Sequence, residues 1–278
     1  THLVGLQLKA EFDIKWWVDF RDPWTDIFYN KDLHRTAWAK RKDARWEEKV
    51  LQTADGILTT VGGNLVRKLQ TKAPDQNFYI LPNGYDSPLM SSIPKTTIKP
   101  FHVVYTGLLT VNQDYLSPIR VLNTLADLNN IRFSLAGNIP TSVIEMIKKT
   151  APKIEVDYKG YLSHKDAITL MKSADLLLNF LFKGADHDMI SGKLLEYLAS
   201  AVPVLSIGNP QTEAGKLLAQ ASFAQMIDPN NTDAQKIFIK KAAQLKGKVI
   251  NHMPEIKKLS RKNITAKLNE ILEKGNTK

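Results

Sequence analysis

The 278-residue sequence contains no cysteine. That excludes disulfides, thiolate nucleophiles and thiolate metal sites, and it suits a reducing compartment. No run of about 18 apolar residues occurs, so no transmembrane helix is expected, and no signal peptide stands at the start. The six histidines (His2, His34, His102, His164, His187, His252) show no metal-ligand spacing, and no metal is expected. Neither a P-loop nor a Ser-His-Asp pattern occurs. Aromatic residues are nearly absent from the basic C-terminal segment, where Phe238 stands alone. That argues against a stacking platform for single-stranded nucleic acid, and no nucleic-acid partner is expected.

What is present describes a globular protein: 43% hydrophobic, 24% charged, with a net charge of +10. The excess is local. Residues 1–90 carry 13 basic against 12 acidic side chains, residues 91–235 carry 13 against 13, and residues 236–278 carry 12 against 3. A terminal Lys-rich helix over about 254–274 is expected, either simply solvated or touching an anionic membrane.

Residues 82–100, PNGYDSPLMSSIPKTTIKP, hold four prolines, three serines and a glycine, and read as a hinge with little regular structure. Beyond it, short apolar runs alternate with helical segments. Strands are expected at 101–107, 131–137, 154–160, 175–182, 202–207 and 222–227, the first three closed by glycine. Helices are expected at 114–129, 141–150, 164–173, 191–201 and 212–220, with Ser163 as an N-cap. This alternation predicts a parallel α/β sheet covered on both faces, with ligands at the C-terminal strand edge. Before the hinge, strand-like runs at 12–20, 55–60 and 77–83 alternate with helical runs at 44–54 and 62–72. Three strands are few for a doubly wound domain, so this segment reads as lacking its beginning, with Trp16 and Trp17 as expected exposed aromatics.

The stretch HDMISGKLLEYLASAVPVL, 187–205, carries the chemistry. A helix starting near Ser191 would leave the N–H groups of Gly192, Lys193 and Leu194 unsatisfied, an arrangement that attracts phosphate. Lys193 adds a positive charge. Asp188 and Glu196 would repel phosphate but can accept hydrogen bonds from hydroxyls, so phosphate beside hydroxyl-rich groups points to a nucleotide sugar. Spacing alone also allows a loop aspartate and a solvated helix glutamate. Of the remaining candidates, Asn83-Gly84 reads as a turn, Gly62-Gly63 as a helix start and His187 as a loop residue. Arg21 and Asp22 are either a salt-bridged strand end or cleft residues.

SGKLLEYLASAVPVL resembles the donor-binding signature of GT-B glycosyltransferases of the group 1, GT4-like type. VDYKGYLSHKDAITLMKSADLLLNF (156–180), VVYTGLL (103–109), YILPNGYD (79–86) and WWVDFRDPWTD (16–26) are similar to other segments of that family. The resemblance spans about 12–240. It implies two Rossmann-like domains around a cleft: a partial acceptor-side domain at 1–90, a donor domain at 91–253, and a basic helix at 254–278 packing back toward the first. It implies transfer of a sugar from a nucleotide-diphosphate sugar, a UDP- or GDP-sugar above all, to a glycan or lipid-linked acceptor. Retention of configuration and metal independence follow from the same resemblance, as does a cytoplasmic place, with 254–278 in peripheral contact with the membrane. Asp188 would contact donor-sugar hydroxyls and Glu196 the ribose. Gly192, Lys193 and Leu194 would meet the diphosphate, Leu162 the nucleobase, and Gly107 would line the diphosphate side. Arg21 and Asp22 would face the cleft as catalytic residues. Two departures stand out: the first acid is Asp188 rather than Glu, and 108–119 contain no Lys or Arg. They keep two alternatives open, a non-catalytic interaction protein on the same scaffold and an epimerase acting on nucleotide sugars.

Overall fold

The computed structural model describes residues 1–278 except 28, 29, 31, 32, 185–188, 251–253, 277 and 278. The chain divides into two compact units, each built on a parallel sheet. The first comprises Thr1–Asn83, His187–Ile190 and Asn263–Lys278; the second comprises Gly84–Asp186 and Ser191–Lys262.

The first unit runs α1 (His2–Phe12), β1 (Trp17–Phe20), α2 (Ala37–Thr53), β2 (Gly56–Thr59), α3 (Gly63–Lys72) and β3 (Phe78–Ile80). Its three strands lie in the order β1-β2-β3, as many strands as expected. β2 is buried along its whole length, and its core gathers Val18, Phe20, Leu51, Ile57, Leu65 and Leu69. Beside that core, the fully buried Glu47 accepts from Lys72 Nζ at 2.7 Å and from the Thr25 hydroxyl, so its charge is paired where water is excluded. Trp16 and Trp17 are half-buried, contrary to expectation. The Trp17 ring lies 5.3 Å from that of Tyr79, beside glycines 56 and 275. The most exposed tryptophan is Trp38. Helix α1 was not foreseen either, because its apolar residues do not fall on one helical face.

The hinge holds more order than its composition suggested. Helix α4 (Ser87–Ser92) forms within it. The Asp86 side chain accepts from Leu89 N, and a proline stands in the first turn, where its missing N–H costs nothing.

The second unit follows as β4 (Phe101–Thr106), α5 (Leu116–Asn129), β5 (Ile131–Ala136), α6 (Thr141–Thr150), β6 (Glu155–Tyr158), α7 (His164–Lys172), β7 (Leu176–Phe180), α8 (Gly192–Ala199), β8 (Val204–Ile207), α9 (Glu213–Ala219), β9 (Ala224–Ile227) and α10 (Thr232–Gln244). The six strands are all parallel in the order β6-β5-β4-β7-β8-β9. This is the doubly wound Rossmann order, which reverses between β4 and β7. β4, β7 and β8 are buried throughout, as strands covered on both faces must be. One face is sealed by Ile119, Leu122, Val143, Ile147 and Ile239. Phe238 belongs to this core and is not part of a basic surface. A 3-10 turn, Pro254–Leu259, leads into α11 (Arg261–Asn276), in place of one continuous helix over 254–274. Within the first unit, Lys267 Nζ of α11 donates to Ile80 O at 2.8 Å. No described helix is long and apolar enough to cross a membrane.

Candidate functional site

A cavity of about 240 Å³ opens in the second unit at the C-terminal ends of β4 and β5. It lies next to the point where the strand order reverses, where open parallel sheets bind ligands. Thr106, Gly107, Ala136 and Gly137 line it from the strand ends, Tyr161, Leu162, His164, Ala167 and Met171 from the β6–α7 side, and Lys193 and Glu196 from α8.

Two glycines shape the floor. Gly107 has φ 117° and Gly137 φ 124°, a region that side chains rarely enter. A Cβ on Gly137 would stand 2.2 Å from Gly107 O, so the two strand ends can approach only without one. Gly107 N donates to Ala136 O at 2.8 Å and locks them together.

Helix α8 begins where the sequence placed it. The Ser191 side chain caps it by accepting from Leu194 N at 3.3 Å, and Ser191 O accepts from the same N–H at 3.0 Å. The Leu194 N–H is therefore engaged, contrary to the expectation that it was open, and the Leu194 side chain is buried. The N–H groups of Gly192 and Lys193 have no partner among the described residues. Open space surrounds the place where a Gly192 Cβ would stand.

Lys193 Nζ lies 4.0 Å from the centre of the Tyr105 ring and 5.8 Å from that of Tyr197. Both hydroxyls are already placed: Tyr105 donates to Leu108 O at 2.5 Å, and Tyr197 accepts from Thr106 N at 2.8 Å. The rings face the ammonium with π-density and offer no counter-charge. Burial pushes Lys193 down to about 7, and the same burial drives both tyrosines up. It is the one lysine or arginine of the lining among the described residues.

Glu196 is not a solvated helix residue. Its side chain is 14% exposed, and its Oε1 lies 2.8 Å from His164 Nε2. Ser163 positions that histidine by capping α7, accepting from Asp166 N at 3.2 Å.

The cavity thus brings together Gly107, Leu162, Lys193 and Glu196 of the residues singled out from the sequence. Gly192 and Leu194 share the first turn of α8 without lining it. Asp188 lies outside the described residues. Arg21 and Asp22 belong to the first unit, just after β1. The Arg21 guanidinium donates to Asp19 at 3.0 Å and to Asn83 Oδ1 at 3.1 Å, while burial pushes the Asp22 carboxyl up. Missed from the sequence were His164, Tyr161 and Gly137. Gly137 had a signal, since it closes β5 as Gly107 closes β4. His164 had none, because its partner stands 32 residues away. His102 is structural: buried in β4, it meets the Ser134 hydroxyl at 2.8 Å. No group of three or more potential metal ligands occurs among the described residues.

Residues 119–245 match the family model described as "Glycosyl transferase-like". No curated protein matches the sequence. Among solved structures the chain is similar to sucrose-phosphate synthase from Thermosynechococcus elongatus, with TM-score 0.69 and 13% identity over 98% of this chain and 71% of that one. It is also similar to HepE from Anabaena in complex with UDP-glucose, with TM-score 0.67 and 12% identity over 98% and 76%. A third is a glycosyltransferase from Rickettsia africae, with TM-score 0.63 and 12% identity over 99% and 80%. The chain has a GT-B fold. Identities this low carry the architecture and not the substrate, and the GT-B cavity described above is this chain's own.

Proposed function

We propose that this chain binds a nucleotide-diphosphate sugar in the cavity of its second unit and serves a glycosyltransferase that passes the sugar to a glycan or lipid-linked acceptor. The observation that carries the reading is the joint placement of Lys193, Glu196 and the Gly107–Gly137 floor in one cavity at the strand switch point. A diphosphate fits the floor, the open N–H groups of Gly192 and Lys193, and the Lys193 ammonium. A ribose diol suits Glu196, and a base suits the backbone near Leu162 with Tyr161 at the rim. The match to a glycosyltransferase-like family and the UDP-glucose bound to HepE support the same donor class, UDP- or GDP-linked.

In this reading Asp188 contacts the donor sugar, and Arg21 with Asp22 serves the acceptor side. The helix end and Lys193 offset the charge of the departing diphosphate without requiring a metal, with retention of configuration. The 1–90 segment would be acceptor-side and 91–253 donor-side, in a cytoplasmic protein whose 254–278 segment touches the membrane. A scaffold that binds the nucleotide without transferring sugar is the second reading, favoured by the single ammonium in the cavity.

The test is a melting-temperature panel with UDP, GDP, ADP, dTDP and CMP. A nucleotide at 100 times its Kd stabilises by about 2.7 kcal/mol. One base is expected to raise the melting temperature. Glu196→Ala is expected to weaken that nucleotide by about tenfold or more, the value of hydrogen bonds to a charged group. Unchanged affinity in Glu196→Ala would sink the assignment. Binding without donor turnover, on a chain shown to hold its acceptor, would select the scaffold reading.

A further inference from the structure

Helix α2 carries a second surface, on the first unit, that owes nothing to the nucleotide cavity. Trp38, Arg41, Lys42, Arg45, Trp46 and Lys49 follow one another at helical spacing and line a groove of about 660 Å³. Two neighbouring rows form, 38-42-46 and 41-45-49, because residues four apart share a helix face. The opposite face of α2 buries Glu47, Val50 and Leu51, so this one looks outward, with Trp46 at its edge half-buried against the core of the first unit.

The charge of the face is uncompensated. None of its four cations is ion-paired with a carboxylate among the described residues. The nearby acids are otherwise engaged: Asp43 pairs with Arg35, Glu47 turns inward to Lys72, and Glu48 accepts from Gln52 at 3.2 Å. The second property is apolar. Trp38 is 66% exposed, an unusual place for so large a side chain unless something covers it.

We propose that this face docks the protein on an anionic lipid bilayer. Four cations spread along about 12 Å of helix suit many phosphates in a plane rather than one small ligand. Tryptophan settles at the level of lipid headgroups, where its ring is half apolar and half wet. A soluble polyanion would use the cations and leave Trp38 idle. A sugar ring or a base would find one face of each indole already taken, since Lys42 Nζ stands 5.0 Å from the Trp38 ring centre and Lys49 Nζ 5.7 Å from that of Trp46. The segment 254–278 offers cations but no aromatic side chain.

The experiment is sedimentation of the full chain with vesicles of phosphatidylcholine, with and without phosphatidylglycerol. Binding is expected on the anionic vesicles only, weakening as salt is added. Each cation near the surface contributes roughly fivefold, so Arg41→Ala with Arg45→Ala should weaken partition about 30-fold. Trp38→Ala should weaken it further at unchanged charge, and the α2 arginine pair should cost more than Lys257→Ala with Lys258→Ala. All these side chains are exposed, and unchanged melting curves would show that the variants fold. Equal binding to neutral vesicles overturns the proposal. So does wild-type binding by the α2 variants. Loss of dextran sulfate binding in the arginine variants, with no vesicle binding by the wild type, would make the face a polyanion site instead.

Discussion

Burial holds Lys193 well below the ordinary lysine range. Its ammonium faces two tyrosine rings and is ion-paired with no carboxylate among the described residues, and burial brings it down to about 7. An anion entering the cavity would pull the proton back, so binding is coupled to proton uptake wherever the empty site is deprotonated and the filled site is not. The sign is fixed. Between pH 7 and 9 the nucleotide's own phosphates are already ionised, with a second pKa of about 6. Affinity for a nucleoside diphosphate should therefore fall as pH rises, by up to about tenfold per unit. Calorimetry in buffers of different ionisation heat would count the proton directly. Lys193→Met should bind more weakly at pH 7 and show no such slope. Retention of the slope in that variant would move its origin elsewhere.

At the scale of elements, the glycines that end β4 and β5 are what let two strand ends close into a floor. Gly137→Ala would put a Cβ 2.2 Å from Gly107 O, at a φ that alanine resists. A loss of about 3 kcal/mol is expected in chemical denaturation, with nucleotide binding impaired even where the fold survives. Both glycines carried a signal in the sequence because each closes an apolar run, although only Gly107 was read as part of the site, and the same runs made all six strands of the second sheet legible. Helix α8 was legible for a different reason, since Ser191 precedes an apolar period. Helix α10 (Thr232–Gln244) was not picked out, although it seals the core with Phe238, Ile239 and Ala242; its many lysines drew attention to charge instead. The His164–Glu196 contact was illegible in principle. It joins the first residue of α7 to the middle of α8, and only the fold brings them within 2.8 Å. Asp86 and the proline at 88 show the converse, since residues that argue for a hinge serve equally well as a helix cap.

At the scale of the molecule, the two units rest on unequal cores. Among the described residues, the first gathers 11 buried apolar side chains in one cluster, the second 28 in its main cluster. The first should therefore open earlier, and the pair Lys72–Glu47 ties a buried charge into it. Glu47 has no exposed surface, so Lys72→Ala leaves a buried carboxylate without its cation. A loss of about 3 kcal/mol is expected, toward the low end for buried pairs because Lys72 keeps some contact with water. Hydrogen exchange should place that loss in residues 1–83, while a bound nucleotide protects residues 101–200. Protection spread evenly over both units would contradict this separation.

The Glu196–His164 contact leaves one more mark. One carboxylate oxygen is committed before any guest arrives, and the other has no partner among the described residues. A vicinal diol reaching this carboxylate gains one hydrogen bond outright and a second only by exchange. The first is a gain in binding; the second leaves the number of hydrogen bonds unchanged and selects only for fit. A guest with one well-placed hydroxyl then loses little to a guest with two. Discrimination between ribose and 2′-deoxyribose should be shallow while His164 is present, and should sharpen once that imidazole is taken away.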